Sequence, residues 1–189
     1  FKRDRAGLQL ALMGLEQKTS PGAQLSATLV KAMLESYHRV GECAEEGKPF
    51  IATSYGNAPE LLVALDLPWY PPLLMPYLPT WQPYILEEID EAVRVGLGSD
   101  MCTLIRLGIS NVHAGRVPVP TAFIGLLSPC DGASMFHQAI ARDKYWRNLP
   151  MFCTDPPYWE NDPSIDFHSK DLKRMVAFLE KHTGRKLDI

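Results

Sequence analysis

The chain has 189 residues, 46% hydrophobic and 22% charged, with 19 Lys+Arg against 22 Asp+Glu and a net charge of −3. It is too apolar and too nearly neutral for a disordered chain, and long enough for one domain with a real core. Without a Lys/Arg stripe it does not read as a nucleic-acid binder, and the one uncharged stretch long enough to span a membrane, Leu67–Leu86, is broken by six prolines.

The chain opens on Phe1 rather than Met, and Phe1–Arg5 reads as a polypeptide entered midway, so a processed or truncated chain is expected. Two helical patterns follow. Leu8, Leu10, Ala11, Met13 and Leu15 form the first; Leu25, Leu29, Val30, Met33, Leu34 and Tyr37 form the second. Ser20-Pro21-Gly22 separates them, and the acidic segment Glu42–Gly47 closes the second. Residues 1–47 are thus expected to be an N-terminal helical segment.

From Lys48 the pattern changes to strand, turn, helix, and residues 48–189 read as an α/β unit. Pro49–Thr53 has strand character, Ser54-Tyr55-Gly56-Asn57 is a turn, and Glu60–Leu65 is helical. Trp69–Tyr84, rich in proline and aromatics, has no regular pattern and reads as a pocket wall, a partner-covering surface or a loop over its own core. Helices are expected over about Tyr84–Gly96 and Asp100–Val112. Thr121–Leu127 is a buried-looking strand, Ser128–Gly132 a turn, and a helix runs to about Arg142. Pro150–Cys153 is a third strand, and a last amphipathic helix covers about Ser169–His182 with Gly184 as its stop. Alternating strands and helices predict a Rossmann-like, mostly parallel sheet flanked by helices. No G-x-G-x-x-G follows any strand, so a dinucleotide site has no support.

Ligands of open α/β sheets sit beyond the carboxyl ends of the strands. Cys130 and Cys153 fall in such places. Cys102 lies at the start of a helix, where Ser99 or Asp100 is positioned to cap. Helix N-termini favour thiolate over thiol, which suits a metal ligand. The spacings, 28 residues from Cys102 to Cys130 and 23 from Cys130 to Cys153, match neither a zinc knuckle nor a ferredoxin, so small buried core residues are the competing reading. Four cysteines are too few for a disulfide scaffold and point to a reduced, cytoplasmic setting. Cys43 reads as a bystander.

Ser54, Tyr55, Gly56 and Asn57 form the second candidate, as donors at a helix start aimed at an anionic or carbonyl oxygen. The competing reading is a capping box between Asn57 and Glu60. His113 and His137 read as ordinary surface or supporting histidines, and His38, His168 and His182 have no evident partners.

The segments SDMCTLIRLGI (Ser99–Ile109), PTAFIGLLSPCDGASMF (Pro120–Phe136), LPMFCTDPPYW (Leu149–Trp159) and LEKHTGRKLDI (Leu179–Ile189) resemble the 2-hydroxyacyl-CoA dehydratase and benzoyl-CoA reductase subunits. GKPFIATSYGNAPELLVALDLPWY (Gly47–Tyr70) is similar to that family's first strand–turn–helix. The resemblance implies an N-terminal half of a two-half, D-component-like subunit. It implies a low-potential [4Fe–4S] cluster with Cys102 and Cys130 as the first two ligands and a third from the second half of the subunit. Cys153, where many relatives carry a non-cysteine strand end, is either a substitute ligand or a core residue. The Ser54–Asn57 turn is the expected donor set, with Ser54 catalytic and Ser54, Tyr55, Gly56 and Asn57 binding substrate. It also implies an acyl-CoA substrate, a homologous second subunit and an ATP-dependent activator that supplies the electron. Dehydration of a 2-hydroxyacyl-CoA, reduction of an aromatic acyl-CoA ring, and a non-enzymatic accessory role without a cluster are the three expectations carried forward.

Overall fold

The structure is a computed structural model and describes residues 2–54, 57–73 and 84–188. The Pro/aromatic stretch is therefore described only at its ends; Tyr77 and Trp81, like Tyr55 and Gly56, lie outside the described residues.

Two long helices come first, α1 (Lys2–Glu16) and α2 (Pro21–Glu46). The Ser20 side chain accepts from the Ala23 N–H, Pro21 supplies a ready-made helical φ, and Gly47 ends α2 in the left-handed region at φ 69°. Then come β1 (Ile51–Thr53), α3 (Pro59–Ala64), β2 (Trp69–Tyr70), α4 (Ile85–Arg94) and α5 (Thr103–His113). The chain closes with β3 (Ala122–Leu126), α6 (Asp131–Ile140), β4 (Met151–Thr154) and α7 (Asp162–Thr183).

The four strands make one sheet in the order β2-β1-β3-β4, every pairing parallel, which bears out the expected fold class. Ile51 lies opposite Trp69 on one side and Ala122 on the other, and Gly125 lies opposite Cys153. Both faces are covered, so side chains alternate between two cores. Ala52, Tyr70 and Phe123 join Tyr37, Ile105, Phe136 and Trp146 beneath α2, α5 and α6. Ile51, Ala122 and Ile124 join Leu62, Met175 and Leu179 beneath α3 and α7. Among the described residues no helix is long and apolar enough to cross a membrane.

Three elements differ from expectation. Strand β2 forms at the start of the Pro/aromatic stretch, and its Trp69 carbonyl accepts from the Ser36 hydroxyl of α2 at 3.0 Å, which covers the sheet edge there. Helix α7 begins at Asp162, seven residues ahead of the predicted start, because Asn161 caps it by accepting from the Ser164 N–H at 3.0 Å. Ile165 and Phe167 in those first turns face solvent, so no apolar stripe marks them in the sequence. Asn57 does not cap α3: the cap position is Ala58, in the left-handed region at φ 49°, with no side-chain cap bond. The Asn57–Glu60 capping box is thus corrected.

A polar cluster clamps α4 to α5. Glu91 accepts from Arg116 and from the Ser110 hydroxyl at 2.9 Å, while the buried Glu88 accepts from Asn111 Nδ2 at 3.3 Å. Burial by itself raises the Glu91 pKa, but the hydrogen bonds from Arg116 and Ser110 outweigh it, and the net shift is downward. A carboxylate held below its unfolded pKa stabilises the fold above that value and loses the contribution as pH falls through the folded one. Glu91→Gln should therefore cost about 1–2 kcal/mol at neutral pH, after allowing for solvent screening. Urea titrations across pH should show the gap to wild type closing on acidification; a gap that widens would refute the assignment.

Candidate functional site

In a parallel sheet each crossover helix returns antiparallel to its strands, so helix N-termini collect at the carboxyl edge. Helix α6 leaves that edge directly after β3. Helix α5 leads back to the start of β3, so its own N-terminus also lies at the carboxyl edge. Each opens on a cysteine: Cys102 is the N-cap of α5, and Cys130 is the N-cap of α6. Neither Ser99 nor Asp100 caps α5, and no side chain caps either helix. Both helices thus begin with backbone N–H groups that the N-cap side chain does not satisfy, at the positive end of the dipole.

The first turns of the two helices touch. A Cβ placed on Gly132, in the first turn of α6, would lie 3.1 Å from Ile105 Cγ1 of α5 and 3.5 Å from Cys130 Sγ. Gly132 is the close-approach position that lets the cysteine-bearing turns meet. Cys102 is exposed and Cys130 half-buried.

Cys153 sits differently. It lies in β4 on the face turned toward α6, with Sγ 3.6 Å from His137 Nδ1. Burial pushes its thiol up to about 11. Burial likewise pulls His137, 5% exposed, down to about 4. The imidazole packs on Phe123 and Phe136, with ring centroids 5.1 and 6.0 Å away, and its Nε2 meets no hydrogen-bonding partner among the described residues. This is a neutral thiol beside a neutral ring in apolar surroundings, the environment of an inert cysteine. Among the described residues no three His, Cys, Asp or Glu side chains gather to hold a metal ion, so Cys153 does not complete a set with Cys102 and Cys130. Cys102 and Cys130 are thus the two cysteines that open helices, and no three-ligand group forms around them among the described residues.

The Ser54–Asn57 turn lies at the same edge, and its described side chains are engaged within the protein. Ser54, fully buried, accepts from the Leu126 N–H at 2.8 Å. Asn57 Nδ2 donates to the Gly125 carbonyl at 2.7 Å, and its Oδ1 accepts from the Thr154 hydroxyl at 3.2 Å. These bonds tie the carboxyl ends of β1, β3 and β4 together. Tyr55 and Gly56 lie between them, outside the description. Of the histidines, His113 pairs with Asp143 at 3.0 Å at the far end of α5.

Residues 58–189 match the profile of a protein family described as 2-hydroxyglutaryl-CoA dehydratase, D-component. The chain belongs to this D-component family. The matched span contains Cys102, Cys130 and Cys153 and begins just after Asn57, so the Ser54–Asn57 turn stands outside it. No curated protein matches the chain. Membership makes the chain a dehydratase-type enzyme subunit, with an acyl-CoA substrate and a partner subunit suggested by the family.

Gly125, Ser128, Thr154 and Asp155 organise this rim and carry no motif in the D-component sequence. Their signal is positional: each lies at a strand's last residue or within two of it. Gly125 is the tightest point. A Cβ there would sit 2.7 Å from His137 Cε1 and 2.8 Å from Cys153 Sγ. Gly125→Ala is expected to destabilise the protein by about 1–3 kcal/mol through overpacking, read from urea denaturation; a variant as stable as wild type would contradict the packing. Anaerobic alkylation of the chelator-treated protein should modify Cys102 readily and Cys153 at least about tenfold more slowly. Equal rates, resolved peptide by peptide by mass spectrometry, would refute the shielding of the Cys153 thiol against His137.

Proposed function

We propose that this D-component chain is an iron–sulfur part of a 2-hydroxyacyl-CoA dehydratase, with Cys102 and Cys130 as two of the thiolates that hold a [4Fe–4S] cluster. The observation that carries the reading is the pair of touching helix starts, each with a cysteine at its N-cap position, at the carboxyl edge of the sheet and inside the family-matched span. Two positive helix ends lower the cost of gathering anionic sulfurs at one place. The remaining donors come from outside the described residues.

A [4Fe–4S] cluster, when bound with one iron free of protein ligands, supplies a low-potential electron and a Lewis-acidic iron. Such a supply suits elimination of water from a 2-hydroxyacyl-CoA, in which the hydroxyl leaves C2, a proton leaves the unactivated C3, and no net electrons are consumed. The chain's own contribution is to hold two sulfurs on rigid helix starts over the strand ends. In this reading it works with a homologous second subunit and with an ATP-dependent activator that donates the starting electron.

The test is metal content. Anaerobically purified protein should carry iron and acid-labile sulfide, and Cys102→Ala and Cys130→Ala should each abolish or sharply reduce both. Cys153→Ala should leave the iron in place. Iron content unchanged by both of the first two substitutions would overturn the ligand assignment, and colourless protein without iron would favour an accessory subunit.

A further inference from the structure

The loop that delivers Cys130 is held by contacts that the ligand reading does not itself require. Leu127 donates its N–H to the Thr154 carbonyl at 2.9 Å, and its own carbonyl accepts from the Ser134 hydroxyl at 3.2 Å. The Cys130 carbonyl accepts from the Ala133 N–H at 3.0 Å, as the first bond of α6. Between these fixed points Ser128, two residues ahead of Cys130, donates its hydroxyl to the carboxylate of Asp155. Asp155 is exposed and lies directly after the last residue of β4, so its backbone is set by the sheet while its side chain reaches to the neighbouring loop.

We infer that Asp155 is a positioning residue for Cys130, acting through Ser128. The edge strand β4 then braces the Cys130 segment on both sides. Asp155 grips it before the cysteine, and Cys153 packs on His137 of α6 two turns after it. A carboxylate is a strong acceptor for a hydroxyl, and the tie spans two separate crossovers of the fold. Loss of one such bond raises the population of locally opened loop about fivefold and leaves the rest of the fold closed. The inference takes its functional meaning from Cys130 being a cluster ligand: a sulfur held in place before metal arrives needs no ordering when it binds.

The experiment measures alkylation rates of Cys102, Cys130 and Cys153 in the same cluster-free protein, peptide by peptide, by mass spectrometry under anaerobic conditions. Asp155→Ala and Ser128→Ala should each accelerate Cys130 about fivefold, and the double variant should be no faster than either single one. Asp155→Asn, which keeps an acceptor for Ser128 but removes the charge, should stay within about twofold of wild type. Cys102 should not change, and Cys153 should stay slow.

A Cys130 rate indifferent to both alanine variants would overturn the inference. So would a double variant equal to the product of the singles. Acceleration in Asp155→Asn equal to that in Asp155→Ala would show a charge effect in place of the tie. Acceleration of Cys153 alongside Cys130 would make Asp155 a residue of global stability, which also overturns it. Iron content that ignores Cys130→Ala defeats the ligand reading instead, whatever Cys130 alkylation shows, so the two failures are told apart.

Discussion

Gly125 is the point on which the rim of this protein is assembled. Its carbonyl accepts from Asn57, whose own Oδ1 accepts from Thr154, and this chain of bonds joins the ends of three strands. Its bare Cα leaves the space into which the Cys153 sulfur and the His137 ring both press. With a side chain there, β4 and α6 could not both approach β3. The position of α6, and with it that of Cys130, follows from that close packing. Fixed strand ends in turn hold the loops above them, as when Leu126 donates to Ser54 and Leu127 to the Thr154 carbonyl.

The same edge separates two kinds of cysteine by environment alone. Cys102 and Cys130 begin helices, at the N-terminal ends where the backbone N–H groups point outward along the axis. Cys153 is one strand away, yet it faces the aromatic core beside an uncharged imidazole. A thiol there loses water without gaining a positive neighbour, and so stays protonated.

Much of the architecture was legible in the chain. Apolar runs ending at Thr53, Leu127 and Cys153, each followed by turn residues and a helical pattern, announced a parallel α/β sheet before any coordinates. The placing of Cys130 at a helix start was equally readable, since a strand followed by Ser-Pro-Cys-Asp-Gly leaves little other choice. The failures share a cause. Helix α7 begins seven residues before its apolar stripe because a cap and a proline start it, and the outward Ile165 and Phe167 carry no periodic signal. Ser54 and Asn57 read as outward donors because their polarity was visible and their partners were not. Those partners, Leu126, Gly125 and Thr154, lie 68 to 97 residues away in sequence.

Composition and local pattern therefore determined the fold class, the order of most elements and the helix-starting cysteines, because these depend on the spacing of near neighbours along the chain. Only the tertiary structure decided which polar groups pair with each other, where a glycine must stay bare, and that among the described residues Cys102, Cys130 and Cys153 form no three-ligand group. Those outcomes depend on burial and on pairing between distant segments, and a side chain carries no mark of either until the strands are side by side.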